Sequence, residues 1–226
     1  MILEYKGIDI FYTDKGKGAV VVLLHGFLED SSMWDNLIPE LVKKNRVITI
    51  DLLGHGKTGC LGYVHTMEDM AAAVASVLKH LRLRKYTFIG HSMGGYVALA
   101  FAKLYPESIK GLCLLNSTYQ EDDTERKQLR ARANKMVQSN YENMVRMSFA
   151  NLFSAESKIK HPKAYKLALE IALQTPVQGY MAANEGMRLR EDYSVFFAEA
   201  SFKKSVLLGK KDTILNTEAI LLYTNS

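Results

Sequence analysis

A serine between glycines at G-x-S-x-G spacing, Gly90-His91-Ser92-Met93-Gly94 followed by Gly95, is the sharpest chemical signal in the sequence. A serine hydroxyl is a weak nucleophile until the backbone holds it clear of the chain and a base can reach it. Its surroundings meet the first condition. An apolar, β-rich run, residues 86–89 (YTFI), ends just before Gly90, and an Ala-rich helical pattern begins by Tyr96. A strand that reverses into a helix through one tight, strained turn lifts the residue at the apex above the sheet. Glycines on both sides let strand and helix cross within contact distance. The competing reading is a glycine-rich turn with an incidental serine, and the setting argues against it.

Three other short segments follow apolar runs in the same way. His25-Gly26-Phe27 follows Ala19–Leu24 (AVVVLL), Asp51-Leu52-Leu53-Gly54-His55-Gly56 follows residues 46–50 (RVITI), and Gly209-Lys210-Lys211-Asp212 follows residues 205–208 (SVLL). The glycines of the second segment suit a structural turn, and a metal role for Asp51 and His55 lacks a nearby third ligand.

The elements that must position these residues read as a layered α/β domain. Residues 2–5 and 8–12 suit two antiparallel strands joined around Gly7. The continuous apolar runs at 19–24, 46–50, 86–89 and 111–115 suit strands covered on both faces. Helical patterns at 67–81 and 95–105 lie between them, the first opened by Thr66 and Asp69 in a capping-box-like pair. Strand and helix alternating at this rhythm predict right-handed βαβ units and a mostly parallel sheet with helices on both faces. The rhythm breaks from 119 to 193, where only helix-like segments occur, and resumes at 205–208, with a further helix at 217–223. The expected division is a core in two parts, 1–118 and 194–226, around a helical insertion at 119–193.

Turn, strand order and insertion together resemble the α/β-hydrolase family. The resemblance implies that Ser92 is the nucleophile and that the backbone N–H groups of Phe27 and Met93 form an oxyanion hole. Asp212 is then the triad acid, because the family's acid commonly follows a strand at such a turn. Asp192 is the runner-up, and Asn116, at an alternative acid position, cannot serve. His25 is expected to brace its loop. Leu28, Trp34 and Tyr119 are expected to wall the substrate pocket, with Trp34 also suited to anchoring a helix. The insertion becomes a cap whose Met136, Met144, Met147, Met181 and Met187, with Phe149, Phe153 and Tyr180, suit adaptable apolar recognition.

The implied reaction is hydrolysis of a small or medium carboxylic ester through an acyl-enzyme, with no cofactor or metal. The family also contains lyases and carbon–carbon hydrolases that grip acidic substrates with cap arginines. That keeps Arg126, Arg130 and Arg132 in view, although the acids beside them suggest surface pairs. A non-catalytic binding or signalling protein is the reading from another class.

The family order is Ser, then acid, then His. All six histidines (25, 55, 65, 80, 91 and 161) precede Asp212, and fourteen residues follow it. The final strand, histidine loop and closing helix are therefore expected to be missing from these residues, which alone should be nearly inactive. An upstream substitute, His161 foremost, or a true pseudoenzyme are the alternatives.

The 226 residues suit one large or two small domains, and 48% hydrophobic with 23% charged residues is an ordinary globular balance. The net charge of +5 is spread among acids, without the basic stripe beside aromatics of a nucleic-acid binder. Two cysteines are too few for a disulfide framework or zinc cluster. No apolar run approaches a membrane span, and the first residues carry no signal-peptide pattern. A cytoplasmic monomer or homodimer acting on a small molecule is the expectation.

Overall fold

The computed structural model describes residues 1–212, 214, 215 and 220. Strand β1 (Ile2–Tyr5) pairs antiparallel with β2 (Ile8–Gly16). Lys6 and Gly7 between them both take positive φ, +51° and +81°, which matches the twist of a two-residue hairpin. β2 runs four residues past the expected end, because residues 12–16 pair antiparallel with β4 (Asn45–Ile50). β3 (Ala19–Leu24) lies parallel between β4 and β5 (Tyr86–His91). β6 (Ile109–Leu115) and β7 (Lys203–Leu207) continue the parallel array. The order β1-β2-β4-β3-β5-β6-β7 makes a seven-stranded, mostly parallel sheet.

Helix α1 (Ile38–Leu41) covers one face, where Val21, Leu23, Trp34, Ile38 and Val47 form an apolar cluster. Helices α2 (Met67–His80) and α3 (Met93–Leu104) cover the other, with Val22, Ile48, Phe88, Val97 and Phe101 in the main core. The Thr66 hydroxyl oxygen accepts from the Asp69 N–H at 3.0 Å and its hydroxyl donates to the Asp69 carboxylate at 2.7 Å, closing the anticipated cap of α2. α3 starts two residues before its expected start because Ser92 itself occupies the N-cap.

Between β6 and β7 lie α4 (Thr124–Met136), α5 (Tyr141–Ala150), α6 (Ala155–Lys160), α7 (Pro162–Gln174) and α8 (Val177–Leu189); α9 (Ser194–Glu199) then leads back to the sheet. Leu28, Val137, Val145, Phe149, Ala172 and Tyr180 give these helices a second apolar cluster. The helix anticipated at 217–223 falls mostly outside the described residues. Among those described, no helix is long and apolar enough to cross a membrane.

A buried ionic joint fastens the helical insertion to the core. Asp122 has no side-chain exposure, and it receives Arg190 Nη2 on Oδ1 at 2.9 Å and Arg130 Nε on Oδ2 at 2.5 Å. Arg190 also donates to the carbonyls of Gln120 and Met187 and lies 4.1 Å from the Tyr96 ring centroid. Burial raises the Asp122 pKa, but the Arg130 and Arg190 guanidiniums outweigh that and hold the carboxyl below the usual range. The surface pair anticipated for Arg130 is thus corrected to a pair with a buried acid.

Asp122→Ala would leave the Arg190 cation buried without its anion. It should cost about 3–5 kcal/mol of stability in urea unfolding, whereas removing an exposed charge such as Glu199 should change little.

Candidate active site

The parallel strands β3, β5, β6 and β7 end side by side, and each hands over to a loop that carries polar groups. The chain leaves β3 toward β4 on one side and returns to β5 on the other. The loops after β3 and β5 therefore diverge and open a crevice at the carboxyl edge, where ligands of open α/β sheets bind.

Ser92 stands at the end of β5 with φ +47° and ψ −117°, a strained conformation for a residue with a side chain. Hydrogen bonds fix both its backbone groups. Its N–H donates to the Leu115 carbonyl at 3.0 Å, and its carbonyl accepts from the Gly95 N–H at 2.9 Å and the Ser117 hydroxyl at 2.7 Å. A Cβ on Gly90 would strike the Gly94 backbone, and one on Gly94 would strike the Leu24 and His25 carbonyls. The glycine spacing read from the sequence is thus a clearance requirement. The Ser92 hydroxyl makes no capping bond to α3, and the residue is partly exposed. Met93 is the first residue of α3, where backbone N–H groups lack partners within the helix and the helix dipole favours negative charge.

Across from Ser92, residues 26–29 form a tight turn in which the Glu29 N–H donates to the Gly26 carbonyl at 3.4 Å. Leu28 takes φ +63° at the third position, as one class of such turns requires. That turn bond leaves the Phe27 N–H at the outer corner unused. The Glu29 carboxylate, through Oε2, accepts from the Gly26 N–H at 2.6 Å and from His91 Nδ1 at 2.8 Å. One acid therefore ties the turn to the residue preceding Ser92. Sequence reasoning missed this pair, which spans 62 residues. Asn116 was also missed; its side-chain oxygen accepts from the Gly209 N–H at 2.8 Å and fixes the start of the segment that carries Asp212.

Asp212 Oδ1 accepts from the N–H groups of Ile214 and Leu215 at 2.8 and 3.1 Å, and its charge is felt at His91. The site residues anticipated from sequence do not all converge. Leu28 is buried against Tyr180 beneath the insertion, and the Phe27 ring meets Tyr180 edge-on at 4.9 Å. Trp34 lies on the α1 face of the sheet with Leu23 and Val47, so its helix-anchoring role is the one it fills and the pocket assignment is corrected. Tyr119 is core as well, stacked on Phe197 at 5.0 Å with its hydroxyl donating to the Ile220 carbonyl.

Behind the turn, His25 fills the bracing role foreseen for it: Nδ1 donates to the Gly26 carbonyl at 2.7 Å and Nε2 accepts from the Leu52 N–H at 2.8 Å. Asp51 accepts from the N–H groups of Ser31 and Lys57, which makes its segment the structural turn expected. His55 is fully buried, 5.4 Å from the His25 ring and 5.8 Å from Phe27. Burial, and then the neighbouring His25, push its pKa down to about 3.

Residues 19–205 match the alpha/beta hydrolase fold family, and the chain belongs to it. A thermophilic esterase from Thermogutta terrifontis, solved with malate bound, is 32% identical, superposes with a TM-score of 0.92, and matches over 99% of this chain and 84% of its own. A non-heme haloperoxidase from Rhodococcus erythropolis is 41% identical over 90 residues, 39% of this chain and 33% of that protein. A 2-hydroxy-6-oxo-6-(2'-aminophenyl)hexa-2,4-dienoic acid hydrolase from Metapseudomonas resinovorans is 33% identical over 115 residues, 49% of this chain and 40% of that protein. The chain thus aligns with less than half the length of these two curated relatives.

Because the folded protein keeps His55 neutral, the unfolded chain binds more protons between pH 6.5 and about 3. Stability should therefore be greatest above pH 6.5 and fall toward pH 3, by up to about 1.4 kcal/mol per pH unit from this group. His55→Gln should flatten that slope in urea unfolding measured from pH 6.5 to 4, and an unchanged slope would refute the assignment.

Proposed function

We propose that the protein is a serine hydrolase that cleaves a small or medium carboxylic ester through an acyl-enzyme. The observation that carries this is the strained Ser92, its hydroxyl free of the helix, facing the unused outer corner of the Gly26–Glu29 turn. In the proposed reaction Ser92 Oγ attacks the ester carbonyl carbon and its proton passes to a general base. The Met93 and Phe27 N–H groups receive the oxygen that becomes negative, and fixed donors of this kind need no reorganisation during the reaction. Collapse expels the alcohol, which takes the proton, and water then releases the acyl group by the same steps in reverse. Asp212 orients the base, proposed to be a histidine outside these 226 residues; the structural match extends over only 84% of the esterase chain.

Residues 119–193 are proposed to act as a cap over Ser92, with Phe27, Leu28 and Tyr180 at its floor. The carbon–carbon hydrolase among the relatives keeps the acidic-substrate reaction in view. Against it, Arg130 is already committed to Asp122.

A fluorophosphonate probe tests the proposal. Full-length protein should label at Ser92, and Ser92→Ala should abolish labelling and lower ester turnover by about 10⁶-fold, the loss typical of removing such a nucleophile. An intact full-length protein that neither labels nor turns over a chain-length series of chromogenic esters would mark a binding protein instead.

A further inference from the structure

We propose that His91, as an imidazolium, neutralises the Glu29 carboxylate that holds the oxyanion turn, so that the two are a positioning pair and turnover requires His91 to keep its proton. The proposal rests on the ester-hydrolase reading and adds a mode of regulation to the same site.

Glu29 has two opposed effects. Its Oε2 accepts the Gly26 N–H at 2.6 Å, which sets the turn whose outer N–H belongs to Phe27. The same carboxylate brings a negative charge to the place where a second one develops during ester cleavage. How near is shown by Gly26, where a Cβ would lie 2.7 Å from Glu29 Oε2, 2.8 Å from His91 Nδ1 and 3.2 Å from Ser92 Cβ. Turn, acid, imidazole and serine thus crowd around one α-carbon. An unneutralised carboxylate there opposes the oxyanion, whereas an ion pair holds the turn and presents little net charge.

The other titratable groups that face the pair do not supply the missing cation. His25 lies behind Glu29 with Nε2 occupied as an acceptor from Leu52, so its ring is neutral in this arrangement. Asp212 faces His91 and adds further negative charge. His91 is the cation that meets both acids, and its side chain and that of Glu29 retain only 21% and 24% of their exposure. Burial pulls the His91 pKa down, but Glu29, through its charge and hydrogen bond, and Asp212 raise it past the ordinary value. Burial likewise raises Glu29, and His91 brings it below the carboxylate range. The pair is therefore ionised at neutral pH and loses its cation as pH rises.

Four forms of the full-length protein separate this from a purely structural role: wild type, Glu29→Gln, His91→Asn and the double variant. Glutamine keeps an acceptor for Gly26, and asparagine keeps a donor. His91→Asn should lower kcat by about 10- to 100-fold, from repulsion between like charges at this range, with KM nearly unchanged. The double variant, neutral again, should recover most of that loss. Wild-type kcat should decline at alkaline pH, and Glu29→Gln should remove the decline. Independently, NMR of the His91 ring should show titration above 6.5 in wild type and a downward move in Glu29→Gln. A double variant no faster than His91→Asn, an alkaline decline unchanged in Glu29→Gln, or a His91 ring already neutral at pH 6.5 would each overturn the proposal. Wild-type protein without turnover on any ester would overturn the hydrolase reading instead, and the ring titration would still decide the pairing.

Discussion

The left-handed backbone at Ser92 is the constraint around which the molecule is organised. Such a conformation costs about 1–3 kcal/mol and persists only where its surroundings over-determine it. Here β6 supplies the Leu115 carbonyl, the loop after it supplies the Ser117 hydroxyl, and the first turn of α3 supplies the Gly95 N–H. Each partner requires close approach, and the glycines at 26, 90, 94 and 95 provide it. Parallel pairing of β3, β5 and β6 brings these partners to one edge of the sheet, so the sheet is as much a jig for one residue as a core.

The parts of the fold legible in the sequence are those governed by local pattern. Continuous apolar runs marked the buried parallel strands, Thr66 and Asp69 marked the start of α2, and the glycine spacing marked the turn at Ser92. The roles of His25 and Asp51 were also readable, because each brackets a short turn. What escaped depends on contacts between distant segments. Glu29 reads as one acid in an ordinary turn until β3 and β5 are laid side by side and His91 meets it. Trp34 follows the turn closely in sequence, yet the chain crosses to the opposite face before reaching it. Asn116 was set aside because an amide cannot act as an acid, and the structure gives it a different task, holding Gly209.

The insertion shows a comparable division. Its helical character follows from the loss of strand pattern after residue 118, but its attachment does not. Asp122, Arg130 and Arg190 are dispersed in sequence, and each alone reads as a solvated charge. Their pairing in a nearly dry site fixes the segments that leave and rejoin the sheet, helped by the Tyr193 N–H donating to the Tyr119 carbonyl at 2.8 Å.

The second apolar cluster gives the insertion a further property. Its floor is partly the turn itself: Leu28 is buried in it and the Phe27 ring rests on Tyr180. The helices overhead and the turn below are therefore one mechanical unit. A sideways shift of α8 would tug on the backbone at Phe27, and exchanging these helices for those of a relative would reshape the chemistry beneath along with the choice of guest.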